Sequence, residues 1–178
     1  MGDTSNTVAT TSSNNFAIRD KMVRKHKIAL FINAGNSGRF IRIKKSTALT
    51  ITMNPKEETY DYIADESPTT EIVQYKPAID QEIVMYKGEE DYEAVFPYFY
   101  EQRTGSAAHV EAMIVFMQEG TPEEGYKAWK TDAILSIQNL SAVDKKLKFK
   151  ITFGGTTKKG IAVVKEGVPA FAEKSTNS

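Results

Sequence analysis

Apolar and polar residues alternate with period two along most of the chain, the pattern of strands with one buried and one wet face. The segment 147–153 shows it most clearly, with Leu147, Phe149, Ile151 and Phe153 on one side and Lys148, Lys150 and Thr152 on the other. The same alternation sets Leu49, Ile51 and Met53 against Thr50 and Thr52. It sets Ile41 and Ile43 against Arg42 and Lys44, and puts Ile28, Leu30 and Ile32 on one side of an opening strand. Segments 109–117 and 129–138 predict two further strands. The first is apolar on both faces near its end, which predicts a central position. Residues 161–165 predict a short last strand. Turn residues separate these runs: 33–38 as a hairpin loop, 120–125 as a longer loop, and 154–157 with Gly160 before the last strand.

One segment, 88–105, breaks the alternation. Tyr92, Val95, Phe96 and Phe99 recur at helical spacing and predict the chain's one helix. Acidic residues crowd its start and Arg103 falls in its expected last turn, an arrangement that suits the helix dipole. Asp91 is the expected N-cap and Gly105 the expected stop. Pro97 removes one helical hydrogen bond, so a kink or a helix of only two to three turns is expected. The fold class is therefore mainly β with one α-helix: a β-sandwich or partly open barrel with the helix packed across it, in one domain.

Composition narrows the function. The 178 residues contain no cysteine, which removes disulfides, thiolate catalysis and zinc–thiolate sites. No apolar run reaches the length of a membrane span, and the polar stretch 1–15 carries no signal-peptide pattern. The two histidines, His26 and His109, lack metal-ligand spacing; His109 shares a strand face only with Glu111. No nucleophile–base, phosphate-loop or calcium-loop pattern occurs, so no enzyme, cofactor or metal is expected. Tyr60, Tyr62 and Tyr75 leave one alternative, an aromatic platform on a carbohydrate-binding or adhesin module of a virion.

The formal net charge is zero, but the charges are segregated. Residues 54–124 carry net −13, residues 1–53 net +7 and residues 125–178 net +6. Interleaving of strands would average this out in space. The other reading is a subunit with opposite patches, suited to head-to-tail contact between identical copies. The acidic stretch 56–68 is a long connection between strands, of a length seldom found in a compact domain without a function. The Ser-, Thr- and Asn-rich start and the end from Ala170 read either as frayed termini or as arms that order against neighbours.

Taken together, three blocks resemble the major tail proteins (tail tube proteins) of siphophages that infect Gram-positive bacteria. They are KIALFINAG near the start, the run from Met53 through the helix to Met117, and residues 126–164 ending in LKFKITFGG and GIAVV. The resemblance spans about residues 24–165 and lies in the order of features rather than in one sharp motif. It implies a tail-tube-type β-sandwich or partly open barrel (24–165) with a flanking helix and a long hairpin from about Asn54 to Asp80. An N-terminal arm (1–23) and a C-terminal arm (166–178) would flank it. It also implies hexameric rings stacked into a hollow tube in the virion tail, made in the host cytoplasm, with genome DNA crossing the lumen unbound. A tape-measure protein and tail terminator and tip proteins would be partners, and no membrane. No immunoglobulin-like extension is seen, so a plain tube exterior is expected. A conduit for DNA should avoid cationic contacts with its cargo. Glu57, Glu58, Asp61, Asp65 and Glu66 are accordingly the candidates for the lumen or ring junction. Arg24, Lys25, Arg42, Lys44, Lys148 and Lys150 are the basic interface candidates.

Overall fold

The structure, a computed structural model, describes residues 23–64 and 66–174. Among these residues, eleven strands and one α-helix follow a short 3-10 turn at Lys25–Lys27. The strands are β1 (Ile28–Asn33), β2 (Ile41–Arg42), β3 (Ser46–Thr52), β4 (Pro55–Tyr60), β5 (Thr69–Tyr75) and β6 (Ala78–Val84). After helix α1 (Glu90–Tyr100) come β7 (His109–Thr121), β8 (Gly125–Ser141), β9 (Lys146–Phe153), β10 (Lys158–Lys165) and β11 (Val168–Glu173).

The main sheet has the order β2-β1-β7-β8-β9-β6-β3, and its strand pairs are antiparallel. This order forces curvature. Laid flat, β2 and β3 would stand six strand spacings apart, about 29 Å. Yet only residues 43–45 join them, and a link from Arg42 to Ser46 spans at most about 14 Å. The sheet therefore curls into a half-barrel that brings its two edges toward each other. The link pairs with each edge in turn: Ile43 N–H donates to the Leu30 carbonyl (2.9 Å), and Val84 N–H donates to the Lys45 carbonyl (3.0 Å).

Inside the curl lies the main core. Leu30, Ile32, Ile79, Ile83, Ile114, Leu135, Leu147, Phe149 and Ile151 are all buried there. Each such side chain contributes roughly 1.5–3 kcal/mol on burial. The alternation in β9 survives intact, with Leu147, Phe149, Ile151 and Phe153 buried and Lys148 outside. A second, smaller core covers the opposite face of β1, β7 and β8: Ala29, Phe31, Met113, Val115, Ala128 and Ala162, with Phe40 and Phe171 against it. Strand β1 is thus buried on both faces, which explains its nearly unbroken apolar run.

Strand β8 is where the sheet branches. Its first part, Tyr126–Lys130, pairs with β10, and its later part, Ala133–Ser141, pairs with β9 on the same side. Between them Gly154 N–H donates to the Asp132 carbonyl (2.9 Å). Beyond β10 lies β11, paired through Ala162 opposite Phe171 and Gly160 opposite Glu173. Gly160 is required here: a Cβ would sit 2.2 Å from the Ala172 carbonyl oxygen and 2.8 Å from the Phe171 ring. Residues 168–173, read from sequence as part of a C-terminal arm, are therefore a strand of the domain. Pro169 and the small alanines Ala170 and Ala172 blur any alternation there, but Phe171 packs against the second core.

The helix corrects the sequence reading at several points. It is three turns long, as Pro97 suggested, but its N-cap residue is Glu89, not Asp91. Its buried residues are Asp91, Val95 and Tyr98, while Phe99 is exposed. The aromatic residues chosen by spacing form a chain along its outer side instead, with Tyr92–Phe96 centroids 5.2 Å apart and Phe96–Phe99 6.0 Å. The helix ends at Tyr100, before Gly105, and Gln102 takes the left-handed conformation there (φ 50°). Arg103 lies beyond the last turn, where it pairs with Glu101 (2.6 Å) and stacks 4.5 Å over the Tyr98 ring.

Asp91 has a different task from capping. It is 2% exposed, and its Oδ2 accepts the backbone N–H groups of Lys44 (3.0 Å) and Lys45 (2.8 Å). The helix thereby holds the short link that closes the sheet's curl.

Candidate assembly surface

Strands β4 and β5 form a separate two-stranded hairpin that leaves the body between Asn54 and Lys76. Its base is closed by Lys76 N–H, shared between the carbonyls of Met53 (3.1 Å) and Asn54 (3.2 Å), and by Asn54 Nδ2 donating to the Lys76 carbonyl (3.0 Å). The expected hairpin ran to Asp80, but Ala78 and Ile79 already belong to β6 and to the core. The segment 56–68, read as a long connection, is β4 and the hairpin tip.

No residue of β4 or β5 is buried, and all of β5 is exposed. Yet Ile72 is 51% exposed, Val73 44% and Tyr75 50%, with Tyr62 and Ile63 bare at the tip. Isolated hairpins of two strands are marginal in water. This one also places Glu58 directly opposite Glu71, a like-charge pair that disfavours it. Local hydrogen bonds offset part of that. Glu58 accepts from Lys56 Nζ (2.7 Å) and Tyr60 O–H (2.9 Å), which lower its carboxyl pKa in that order of effect. Of the exposed apolar residues of β5, Tyr75 was singled out from sequence, but Ile72 and Val73 were not. The run Ile72-Val73-Gln74-Tyr75 reads as an ordinary strand, and only the topology shows that neither face has a sheet to cover it.

The tertiary structure also sorts the segregated charges. Several acidic residues of the central segment that lie in the body, Glu82, Glu89, Glu90, Glu111 and Glu119, meet basic partners from the two flanking segments. Glu82 on β6 faces Lys146 (2.5 Å) and Lys148 (3.1 Å) on β9; Glu111 pairs with Lys130 (2.9 Å); Glu90 pairs with Arg39 (2.5 Å). Residues 55–75 are different: they hold one basic and six acidic side chains, net −5, so the rest of this neutral chain carries +5. Interleaving thus averages the charge inside the body and leaves an acidic hairpin on a basic body.

Of the acidic candidates, Glu57 and Glu58 lie on β4, with Glu58 half-buried, while Asp61 and Glu66 are exposed at the tip and Asp65 lies outside the described residues. These share one hairpin. The basic candidates fall into two groups. Arg24 is exposed beside the opening 3-10 turn, which includes the backbone of Lys25; Arg42 is half-buried, and Lys44 is exposed, 3.9 Å from Glu90. Lys148 and Lys150 stand on the outer face of β9, opposite Glu82 and Asp80 of β6. Tyr60 and Tyr62 stack at 5.8 Å near the tip, whereas Tyr75 stands opposite Pro55 at the base. The three tyrosines therefore do not form one platform. Among the described residues no group of acidic and histidine side chains is arranged to hold a metal, and no helix is long and apolar enough to cross a membrane.

The Glu82 cluster has a pH consequence. Lys146, then the Thr47 hydroxyl and Lys148, hold the Glu82 carboxyl down to about 2. In the unfolded chain it titrates near its ordinary value, about 4.3. Its contribution is thus complete above about pH 5 and is lost as pH falls toward 2. We expect Glu82→Gln to lower the urea midpoint at pH 7 and to lose less of its remaining stability than the wild type between pH 5 and pH 3. Equal acid losses in the two proteins would place the acid sensitivity elsewhere.

No family model and no curated protein matches the chain. Solved structures do. A chain in the tail of an empty gene transfer agent particle, refined with C6 symmetry, superposes with a TM-score of 0.53 at 11% identity, covering 75% of this chain and 96% of that one. A chain from the virion of a native gene transfer agent particle gives 0.51 at 11% identity, covering 76% and 97%. At that identity what is shared is the fold, a curled, mainly β domain with a single helix.

Proposed function

We propose that this protein is a structural, non-enzymatic subunit of a phage-type tail tube, in which six copies form a ring and rings stack around a lumen that passes DNA. The observation that carries the proposal is the hairpin. It exposes apolar side chains on a segment of net −5, buries none of its residues against its own domain, and projects from a body of net +5. Such a segment gains stability by contact with an identical neighbour of opposite local charge. A heterologous contact of that kind closes into rings or propagates into filaments. The sequence resemblance to siphophage major tail proteins, and the fold shared with chains of tail-bearing particles, support the same reading. Tape-measure, terminator and tip proteins belong to it as partners, and the virion tail as its location. The adhesin alternative loses its motivating feature, since its tyrosines are split between tip and base.

Electron microscopy of the concentrated protein at low salt, with its mass in solution, tests the proposal. Rings or hollow tubes of uniform width are expected; a monomer that stays monomeric even with a tail-tip complex added would overturn it. Salt provides a second test. The concentration needed for assembly should rise with ionic strength, because contacts between exposed charges are screened over about 8–10 Å. The triple variant Glu57→Gln, Asp61→Asn, Glu66→Gln should raise that concentration about tenfold at low salt, from three contacts of roughly 0.2–1 kcal/mol each. It should also flatten the salt response. An unchanged assembly threshold would remove electrostatics from the contact.

A further inference from the structure

We propose that the open seam of the half-barrel is the acceptor for the acidic hairpin, with β5 of one copy adding to the outer edge of β3 in the next. Resting on the ring-forming role proposed above, this pairing names the surface that receives the hairpin. The two edges of the curled sheet meet incompletely at the seam. Strand β1 pairs with β2 only through Phe31 and Ile32, and the link adds one bond at Leu30. The outer edge of β3 has no partner among the described strands. Both edges line one cleft of about 350 Å³, with Ile28, Ala29 and Leu30 on one wall and residues 46–49 on the other. Its floor is apolar: Leu30 and Ile43 are buried in the main core, and Ile28 and Leu49 pack against it. An open strand edge beside an apolar cleft is a template for an added strand, which supplies backbone hydrogen bonds to the edge and side chains to the floor.

Charge and shape select the hairpin as the occupant. Arg42 and Lys44 line the cleft together with His26, and among the described residues no carboxylate does. Lys44 is held only loosely by Glu90, at 3.9 Å. The hairpin brings the complement: a net charge of −5, exposed Ile72, Val73 and Tyr75, and a free edge on β5 opposite its pairing with β4. Strands β3 and β5 are each seven residues long, so the two free edges match along their whole length. The occupant comes from another copy. The cleft lies at the start of β3, whereas a chain's own hairpin leaves beyond the end of β3, after Asn54, and pairs only with itself. Donor and acceptor are thus different surfaces of one subunit, the condition for a head-to-tail contact that closes into rings or continues into filaments.

Single cysteines test the pairing, since the chain has none of its own. One protein carries Ile72→Cys and the other Ala48→Cys, both at exposed positions. They are mixed in equal amounts at the concentration where wild-type rings or tubes appear, and treated with a short bismaleimide. A covalent dimer of the two different chains is expected, at least tenfold above that from a mixture in which Ile161→Cys, exposed on β10, replaces Ala48→Cys. Hydrogen exchange on the wild-type chain reads the same edge without substitution: amides of residues 46–50 should slow at least tenfold on assembly relative to the dilute protein. If the cysteine chains do not fold, the exchange comparison decides alone. Tubes that assemble without protection at β3, or with no mixed dimer above the Ile161 control, would overturn the acceptor site and leave the tube in place. Wild-type protein that never assembles, even with a tail-tip complex, would overturn the tube and the acceptor with it.

Discussion

Replacing residues 55–75 by two glycines is expected to give a folded monomer that forms no rings or tubes at any accessible concentration. The splice is locally sound. Asn54 and Lys76 already share a carbonyl-to-amide hydrogen bond of 3.2 Å, which is the bond a two-residue turn would close. The excised strands pair only with each other, and none of their residues is buried, so the main core loses nothing. The melting temperature should stay within about 3 °C, which for a domain of this size corresponds to about 1 kcal/mol. Removing a segment of net −5 also leaves a chain of net +5, whose self-repulsion further opposes association. Sedimentation and electron microscopy would read assembly, and calorimetry the fold. Tubes formed by the spliced chain would show that the hairpin is not the joining element.

The largest effect expected of a single side chain outside the apolar core is at Asp91. Its carboxylate takes the two N–H groups of the link that closes the half-barrel, and it is almost wholly shielded from water. Asp91→Ala leaves both donors without that partner, at a cost of about 2–4 kcal/mol. With a urea dependence of roughly 2 kcal/mol/M, the unfolding midpoint should fall by about 1–2 M. Glu93→Gln is the control. Glu93 also accepts a backbone N–H, from Gly88 at 2.9 Å, but at an exposed position, so a loss below about 1 kcal/mol is expected. Equal losses in the two variants would mean that helix electrostatics, not closure of the link, sets the stability at this point.

Asp91 also shows what local rules read and what they miss. Its place near the start of a helix made it a natural cap by composition. In three dimensions it faces a link that is 46 residues away in sequence, and no local pattern marks that pairing. The same division holds for the helix face. Spacing selected Tyr92, Val95, Phe96 and Phe99, but the face that docks is fixed by the clamp at Asp91 together with Val95 and Tyr98. Strand β11 was missed because Pro169 interrupts it and its alanines give no period-two contrast, and the second core under Phe171 gives it a reason to order.

The sequence by itself determined the strands whose two faces differ, the turn between β1 and β2, a single three-turn helix, and a mainly β fold. Those features rest on side-chain periodicity and local backbone preference, which act between residues close in the chain. It also carried the charge division, but not its meaning. Tertiary structure decided that β6 and β9 neutralise one another while the hairpin keeps its charge. It decided too that the sheet curls, because a short link joins strands at opposite edges, and that Ile72, Val73 and Tyr75 have no cover. Those outcomes depend on which strands become neighbours. Neighbour choice is set by burial summed over the whole domain, a quantity that no local stretch of sequence contains.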